Sequence, residues 1–301
     1  DYFERSKPDM LVLLGDRYET LAVACAAMNA RIPIAHLYGG ETTEGAVDEA
    51  CRHAITKMSY LHFTSTDAYR RRVIQLGESP DRVFNVGAIG VENALNTELF
   101  TKEEFEKSID WKLSKPYAVV TFHPVTLEDQ TAEQQIEELL SAIVEFGEMQ
   151  FVITKANADA GGRVINQKID DFASRHENVK AFDSLGMKRY LSALKYAVMI
   201  IGKSSSGIVE APSFHIPTIN IGDRQKGRIQ AESVINCASN MGQIKDSMDE
   251  AIHRYHKEIC DNVFNPYEHD NTSSIIVEQI SLALNNGINL IKKFYDVNIQ
   301  E

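Results

Sequence analysis

The strongest constraint on this chain is a recurring pair of segments: a short apolar run without alternation, then a polar turn that opens an amphipathic stretch. Such runs stand at 10–14, 32–37, 61–64, 83–85, 117–122, 150–154, 179–182, 198–201 and 219–221. Apolar runs of this kind suit parallel strands covered on both faces, because crossover helices leave neither face of the sheet to water. Between them, helical spacing is read at 20–29, 47–58, 67–76, 133–145, 163–175 and 187–194, with later helices near 242–256 and 271–285. The alternation predicts an α/β protein built from two Rossmann-like, doubly wound parallel sheets.

Sheet character lapses and charge rises between 92 and 116, through KEEFEK and DWKLSK, so the linker is placed there. The expected organisation is a first Rossmann-like domain over 1–111, a nucleotide-binding second over 112–285, and a helix over 286–301 packing back toward the first. The chain opens at Asp1 and meets a strand almost at once. The first domain is therefore expected to lack its N-terminal part. With 301 residues, 44% of them hydrophobic, there is material for two cores.

A formal net charge of −12 argues against a nucleic-acid partner, although an acidic chain can hold an anion in one basic pocket. Cys25, Cys51, Cys237 and Cys260 lack metal-ligand spacing and read as buried free thiols of a reducing compartment. No apolar run is long enough to span a membrane and nothing at the start resembles a signal peptide, so a cytoplasmic protein without a membrane partner is expected.

Three stretches carry candidate chemistry. Asp16 and Arg17 stand at the carboxyl end of the first strand, the edge where open α/β sheets bind ligands, although an aspartate there also serves as a helix cap. Next, GGETTEGAVDEACRH, 39–53, is a glycine-rich loop opening a helix. Its Val47, Ala50, Cys51, Ala54, Ile55 and Met58 form the core stripe. Asp48 and Arg52, and Glu49 and His53, are four apart on the other face, with Glu41 just before the helix. The group reads either as an acid–base cluster or as a solvated face of intrahelical pairs. Third, Gly202 to Gly207, GKSSSG, lies between a strand and a short helix from about Ile208, where backbone N–H groups and serine hydroxyls can close on a phosphate. Glu210, in the first turn of that helix, suits a ribose; Arg224, Lys226 and Arg228 form a basic loop beyond the next strand. A serine-rich cap and a solvated loop are the plainer readings of these two.

Taken together, GDRYE (15–19), GGETTEGAVDEACRHAITK (39–57), TFHPVT (121–126), KANADAGG (155–162) and GKSSSGIVEAPSFHIPTINIGDRQKGR (202–228) resemble the hydrolysing UDP-N-acetylglucosamine 2-epimerases of bacterial sialic acid synthesis. The resemblance covers nearly the whole chain. It implies a glycosyltransferase-B-like architecture with the UDP-sugar in the cleft between two domains. It also implies anti elimination of UDP to a glycal, then addition of water with protonation of C2 from the other face, without metal or cofactor. Asp16 matches the strand-end catalytic aspartate and Asp48 the acidic residue opening the catalytic helix, with Glu49 beside it as a further catalytic candidate; His123 matches the histidine near the departing diphosphate, and Arg17 a substrate contact. Ser204 and Ser205 match the phosphate-binding pair, Glu210 the ribose ligand, Arg224 a basic contact and Asn157 a nucleotide contact. A homodimer or homotetramer is expected.

The resemblance has two departures. Where much of the wider family has a carboxylate two residues after the strand-end histidine, this chain has Tyr38, and Glu41 is expected to take over that catalytic role. The family's opening strand and basic turn have no counterpart here, so weak or absent turnover is expected of these residues alone, whereas a parent protein is expected to be competent. The rival readings are hydrolysis of a UDP-2,4-diacetamido-2,4,6-trideoxy sugar, non-hydrolysing epimerisation, a UDP-sugar glycosyltransferase, and a non-catalytic UDP-sugar binding module.

Overall fold

The computed structural model describes residues 1–44, 48–123, 131–156, 161–255 and 259–298, with only the backbone at 254 and 255. The chain forms two compact units. One comprises 1–43, 47–92 and 267–301; the other comprises 44–46 and 93–266.

The first unit holds a parallel sheet of β1 (Leu11–Leu14), β2 (Ile34–Leu37), β3 (Leu61–Thr64) and β4 (Val83–Asn85), in sequential order. After α1 (Tyr2–Ser6), the strands alternate with α2 (Tyr18–Asn29), α3 (Asp48–Met58) and α4 (Asp67–Gln75), and α5 (Ile89–Asn96) follows β4. β2 and β3 are buried throughout, as their apolar runs require. β1 differs from expectation. It is an edge strand of the sheet, and only Leu13 is fully buried, with Ala24, Ala27 and Ile34, Leu11 packing partly against them, while Val12 is 51% and Leu14 56% exposed. Because α2 buries Ala24 and Ala27, Cys25 turns outward. Cys51 and Cys237 are half-buried, so the expectation of four buried thiols holds only for Cys260; all four are free.

The second unit holds six parallel strands: β5 (Tyr117–Thr121), β6 (Gln150–Thr154), β7 (Val179–Phe182), β8 (Met199–Gly202), β9 (Thr218–Ile221) and β10 (Val234–Cys237). Their spatial order, β10-β9-β8-β5-β6-β7, is that of a doubly wound sheet with its switch point between β5 and β8. Successive side chains of β5 point to opposite faces. Ala118 and Val120 join a core with α7 (Ala132–Val144) and α8 (Gly162–Ala173), whereas Tyr117 and Val119 face α6 (Lys102–Ser108) and α9 (Gly186–Tyr196). β10 was not among the expected strands. Beyond β8 and β10 come α10 (Ser206–Val209) and α11 (Met241–Glu250).

The unit boundaries differ from those expected at 111/112 and 285/286. Residues 93–111 belong to the second unit, because Thr101 and Glu104 cap α6 reciprocally and Phe105 is buried against Tyr117, ring centroids 6.4 Å apart. Residues 267–285 belong to the first, because α12 (Thr272–Asn286) sets Ile276 among Ala35, Leu37, Phe63 and Val86. The expected terminal helix is absent. After Gly287 residues 288–298 run without helical structure as a strap, with one local bond from Ile291 N to Asn289 Oδ1 at 3.0 Å and the longer-range bonds reaching other parts of the first unit. Lys292 Nζ donates to the carbonyls of Lys57 (3.0 Å) and Ser59 (2.7 Å) and to the Glu78 carboxylate (2.7 Å), and Tyr295 N donates to Gly77 O at 2.9 Å. Among the described residues no helix is long and apolar enough to cross a membrane.

Candidate active site

In the first unit the candidate residues gather around one buried guanidinium. Arg52, on α3, is 1% exposed and lies deeper than Ala50, Cys51, Ala54 or Met58 of the stripe expected to be core. Of that stripe Ile55 is buried, and Val47 lies outside the described residues. The reversal has an electrostatic cause: each face of the guanidinium's donor fork finds an acceptor. Arg52 Nη2 donates to Asp16 Oδ2 and to Thr43 Oγ1 at 3.0 Å. Its Nη1 donates to Glu49 Oε2 and to the Glu41 carbonyl, both at 2.9 Å.

Glu49 is held from three sides. Thr42 Oγ1 donates to Oε1 at 2.6 Å, Thr43 N donates to Oε2 at 2.8 Å, and His53 Nε2 stands 3.2 Å from Oε1, as the four-residue spacing led one to expect. Burial alone would raise this carboxyl, but Thr42, Thr43, Arg52 and His53 together hold it below the ordinary carboxylate value. Asp48 opens α3 and is half-buried. Glu41 is 5% exposed and accepts a 2.6 Å hydrogen bond from Ser65 Oγ. Arg17 is exposed, with Nε 3.3 Å from Glu19 Oε2.

The strand ends fix this arrangement. Gly15 turns the chain out of β1 with φ +86°, presenting Asp16. Beneath it, fully buried His36 is pushed down to about 4 by burial, with the His62 and Arg52 charges adding and the Gly15 carbonyl and Asp16 opposing. The ring is therefore neutral near pH 7. It donates from Nε2 to Gly15 O at 2.9 Å, leaving Nδ1 to accept from Thr56 Oγ1 at 3.2 Å. A Cβ at Gly39 would stand 3.0 Å from Thr56 Oγ1 and 3.1 Å from His36 Nδ1, so a side chain there would crowd this link. Tyr38 is bound elsewhere: its hydroxyl accepts from Ile89 N at 2.9 Å, at the start of α5.

In the second unit β5 and β8 lie side by side, Thr121 opposite Gly202. His123 follows β5, and the serine loop follows β8. Gly202 has φ +138°, and a Cβ there would lie 1.9 Å from Thr121 O, so the two strand ends meet backbone to backbone. Lys203 is fully buried. Its Nζ donates to Gln135 Oε1 at 2.7 Å, and its carbonyl accepts from Arg224 Nη1 at 3.0 Å and Gln225 Nε2 at 2.9 Å. The basic loop is thus tied to the serine loop by its backbone. Ser204 is half-buried and Ser205 exposed; Ser204 Oγ accepts from Ser206 N at 3.2 Å. Glu210 stands past the end of α10, not in its first turn, because that helix closes after four residues into the Ala211–Phe214 turn containing Pro212. Lys226 and Arg228 line an open cavity of about 830 Å³ with Asn220, Asp223, Asn236 and Ser239. Asn157 lies outside the described residues.

Asp16, Glu41 and Glu49 are thus linked through Arg52, with Asp48 on the same helix, while His123, Ser204, Ser205, Glu210 and Arg224 share the switch-point end of the second sheet. Sequence reading missed the burial of Arg52 and the supporting His36, Thr42, Thr43, Ser65 and Lys203. Spacing within α3 cannot reveal a partner 36 positions earlier.

The family described as UDP-N-acetylglucosamine 2-epimerase matches residues 1–281. The GDP/UDP-N,N'-diacetylbacillosamine 2-epimerase (hydrolyzing) of Campylobacter jejuni is 44% identical over 241 residues, 80% of this chain; the chain spans 63% of that protein's length. The polysialic acid biosynthesis protein P7 of Escherichia coli is 41% identical over 298 residues, 99% of this chain and 76% of that protein. The structure of UDP-GlcNAc 2-epimerase from Neisseria meningitidis bound to UDP-GlcNAc has the same fold, with TM-score 0.78, 21% identity, and coverage of 94% of this chain and 79% of that one. The strand-end carboxylates, the serine loop and the paired parallel sheets all fall within these matches, and the chain belongs to the UDP-N-acetylglucosamine 2-epimerase family.

Proposed function

We propose that this chain carries the site of a hydrolysing 2-epimerase acting on UDP-N-acetylglucosamine and releasing N-acetylmannosamine and UDP, for sialic acid synthesis. The observation that carries the reading is the carboxylate group ordered by buried Arg52. The C2 proton of an acetamido sugar is very weakly acidic, so a positioned base and a stabilised leaving group must act together. Asp16 and Asp48 are assigned to removing and returning the C2 proton. Glu49, kept ionised by its donors, holds Arg52 and hence Asp16 in place, and Glu41 takes part from the loop before α3. As the C2–H bond breaks, the electron pair forms the C1–C2 double bond and the C1–O bond leaves with UDP. Water then adds at C1 of the glycal, and C2 is protonated from the opposite face. His123, Ser204, Ser205 and Arg224 are assigned to the diphosphate, Glu210 to the ribose, Arg17 and Asn157 to further substrate contacts.

A second substrate is favoured by the 44% identity to the Campylobacter jejuni enzyme: a UDP-N,N'-diacetylbacillosamine, on which the C2 and diphosphate chemistry is unchanged. Incubating the protein with each UDP-sugar in deuterated water tests both readings. Deuterium at C2 of a free sugar, released in equal amount with UDP, is the expected result, and the preferred sugar identifies the substrate. Asp16→Asn is expected to abolish most turnover with UDP affinity retained. A mixture of intact UDP-sugars, or unchanged turnover in Asp16→Asn, would refute the hydrolytic assignment.

A further inference from the structure

Tyr190, on α9, sets its ring against the core formed by Leu191, Ala193 and Leu194 with the β5 face of the second unit. Its hydroxyl is buried without a hydrogen-bond partner, and so is Ser206 Oγ. Other tyrosines of the chain spend their hydroxyls on protein. Tyr117 donates to Ala193 O at 2.6 Å, Tyr196 to Phe100 O at 3.1 Å, and Tyr38 accepts from Ile89 N. Buried hydroxyls left unpaired are rare in folded proteins, because the lost hydration is not replaced.

The position of this one is informative. The Tyr190 hydroxyl faces Ser206, Thr121 and Ser204, with the Glu210 carboxylate nearby, which places it beside the serine loop at the β5/β8 switch point. Burial pushes the phenol up to about 12, against the neighbouring hydroxyls, so it carries its proton at neutral pH and is a donor.

We propose that Tyr190 is a ligand-binding residue of this loop, donating its O–H to a phosphate oxygen of a bound nucleoside diphosphate, with Ser206 Oγ as a second donor. The assignment rests on reading 202–210 as the diphosphate loop. An acceptor arriving with the ligand gives both hydroxyls a well-formed bond that the neighbouring hydroxyls do not supply, and a hydrogen bond to an anionic oxygen is the stronger kind.

The test is Tyr190→Phe in the full chain, with UDP and uridine titrated calorimetrically and thermal unfolding followed without ligand. The expected result is a UDP Kd raised about tenfold, unchanged uridine affinity and a Tm moved by no more than a degree or so, since the hydroxyl makes no well-formed hydrogen bond to the neighbouring Ser206, Thr121 and Ser204 side chains. Ser206→Ala is expected to raise the UDP Kd about threefold. Unchanged UDP affinity in Tyr190→Phe, equal weakening of UDP and uridine, or a Tm lowered by several degrees would each overturn the assignment while leaving the loop reading intact. Failure of the wild-type protein to bind UDP would instead overturn both.

Discussion

Arg52 decides what the carboxylates of the first unit can do. A lysine would bring one compact charge, whereas the guanidinium reaches Asp16, Glu49, Thr43 and the Glu41 carbonyl at once. Its burial is tolerated because both terminal nitrogens meet two acceptors each, and the same fact makes its removal costly. Arg52→Met is expected to lower stability by about 3–5 kcal/mol, read by denaturant unfolding, because Asp16 and Glu49 lose their shared counter-charge. Arg52→Lys keeps the charge but loses the fork. Turnover there is expected to fall by roughly 100-fold through displaced carboxylates, with UDP affinity unchanged. Asp16, Asp48 and Glu49 could be picked from the sequence because strand ends and helix spacing mark them. Arg52 had the right partner types nearby yet stayed open between an acid–base cluster and a solvated pair, since helical periodicity assigns charge to water unless a distant partner is known.

Among the elements, the junction of β5 and β8 is the most exacting. At Gly202 the left-handed backbone and the closeness of Thr121 O leave no room for a Cβ. Gly202→Ala is expected to cost about 1–3 kcal/mol of stability by displacing the loop it opens, and to weaken UDP binding at the same time; calorimetric titration beside thermal unfolding checks both. The strand–turn–helix alternation made most of this sheet legible beforehand, because a strand covered on both faces needs an unbroken apolar run. Less was legible where a run lay at an edge: β1 has the composition of an interior strand, and only its position exposes Val12 and Leu14. β10 (Val234–Cys237) was missed because its apolar run before Asn236 is only two residues long. The 288–298 segment has an amphipathic pattern, but what it satisfies are carbonyls of other elements, which no local pattern reports.

On the scale of the whole molecule, His36 and Glu78 contribute strongly to the acid limit of stability. His36 stays neutral in the folded chain down to about 4, whereas an ordinary histidine protonates near 6.5. Unfolded chains thus bind a proton that the folded one refuses, and stability falls as pH drops from 6.5 toward 4, by on the order of 3 kcal/mol. Glu78 acts lower. Burial would raise it, but His62, Lys292 and Lys57 hold it at about 2 against an ordinary 4.5, so its contribution is complete above 4.5 and is lost as pH falls toward 2. Denaturant unfolding measured from pH 7 to 3 is expected to show a shallower decline below 4.5 in Glu78→Gln and a shallower decline between 6.5 and 4 in a folded His36→Asn variant, His62 and Glu49 supplying the remainder. Lys292 gives Glu78 a further meaning. The first unit is discontinuous: its sheet is made from residues 11–85, and α12 and the strap that close it come from beyond 266. As the chain leaves the ribosome, the second unit has all its strands before the first has its last helix. The half that carries Asp16, Asp48 and Glu49 is therefore completed only when the residues beyond 266 return to it, and Lys292 reaching Glu78 is the contact that records that return.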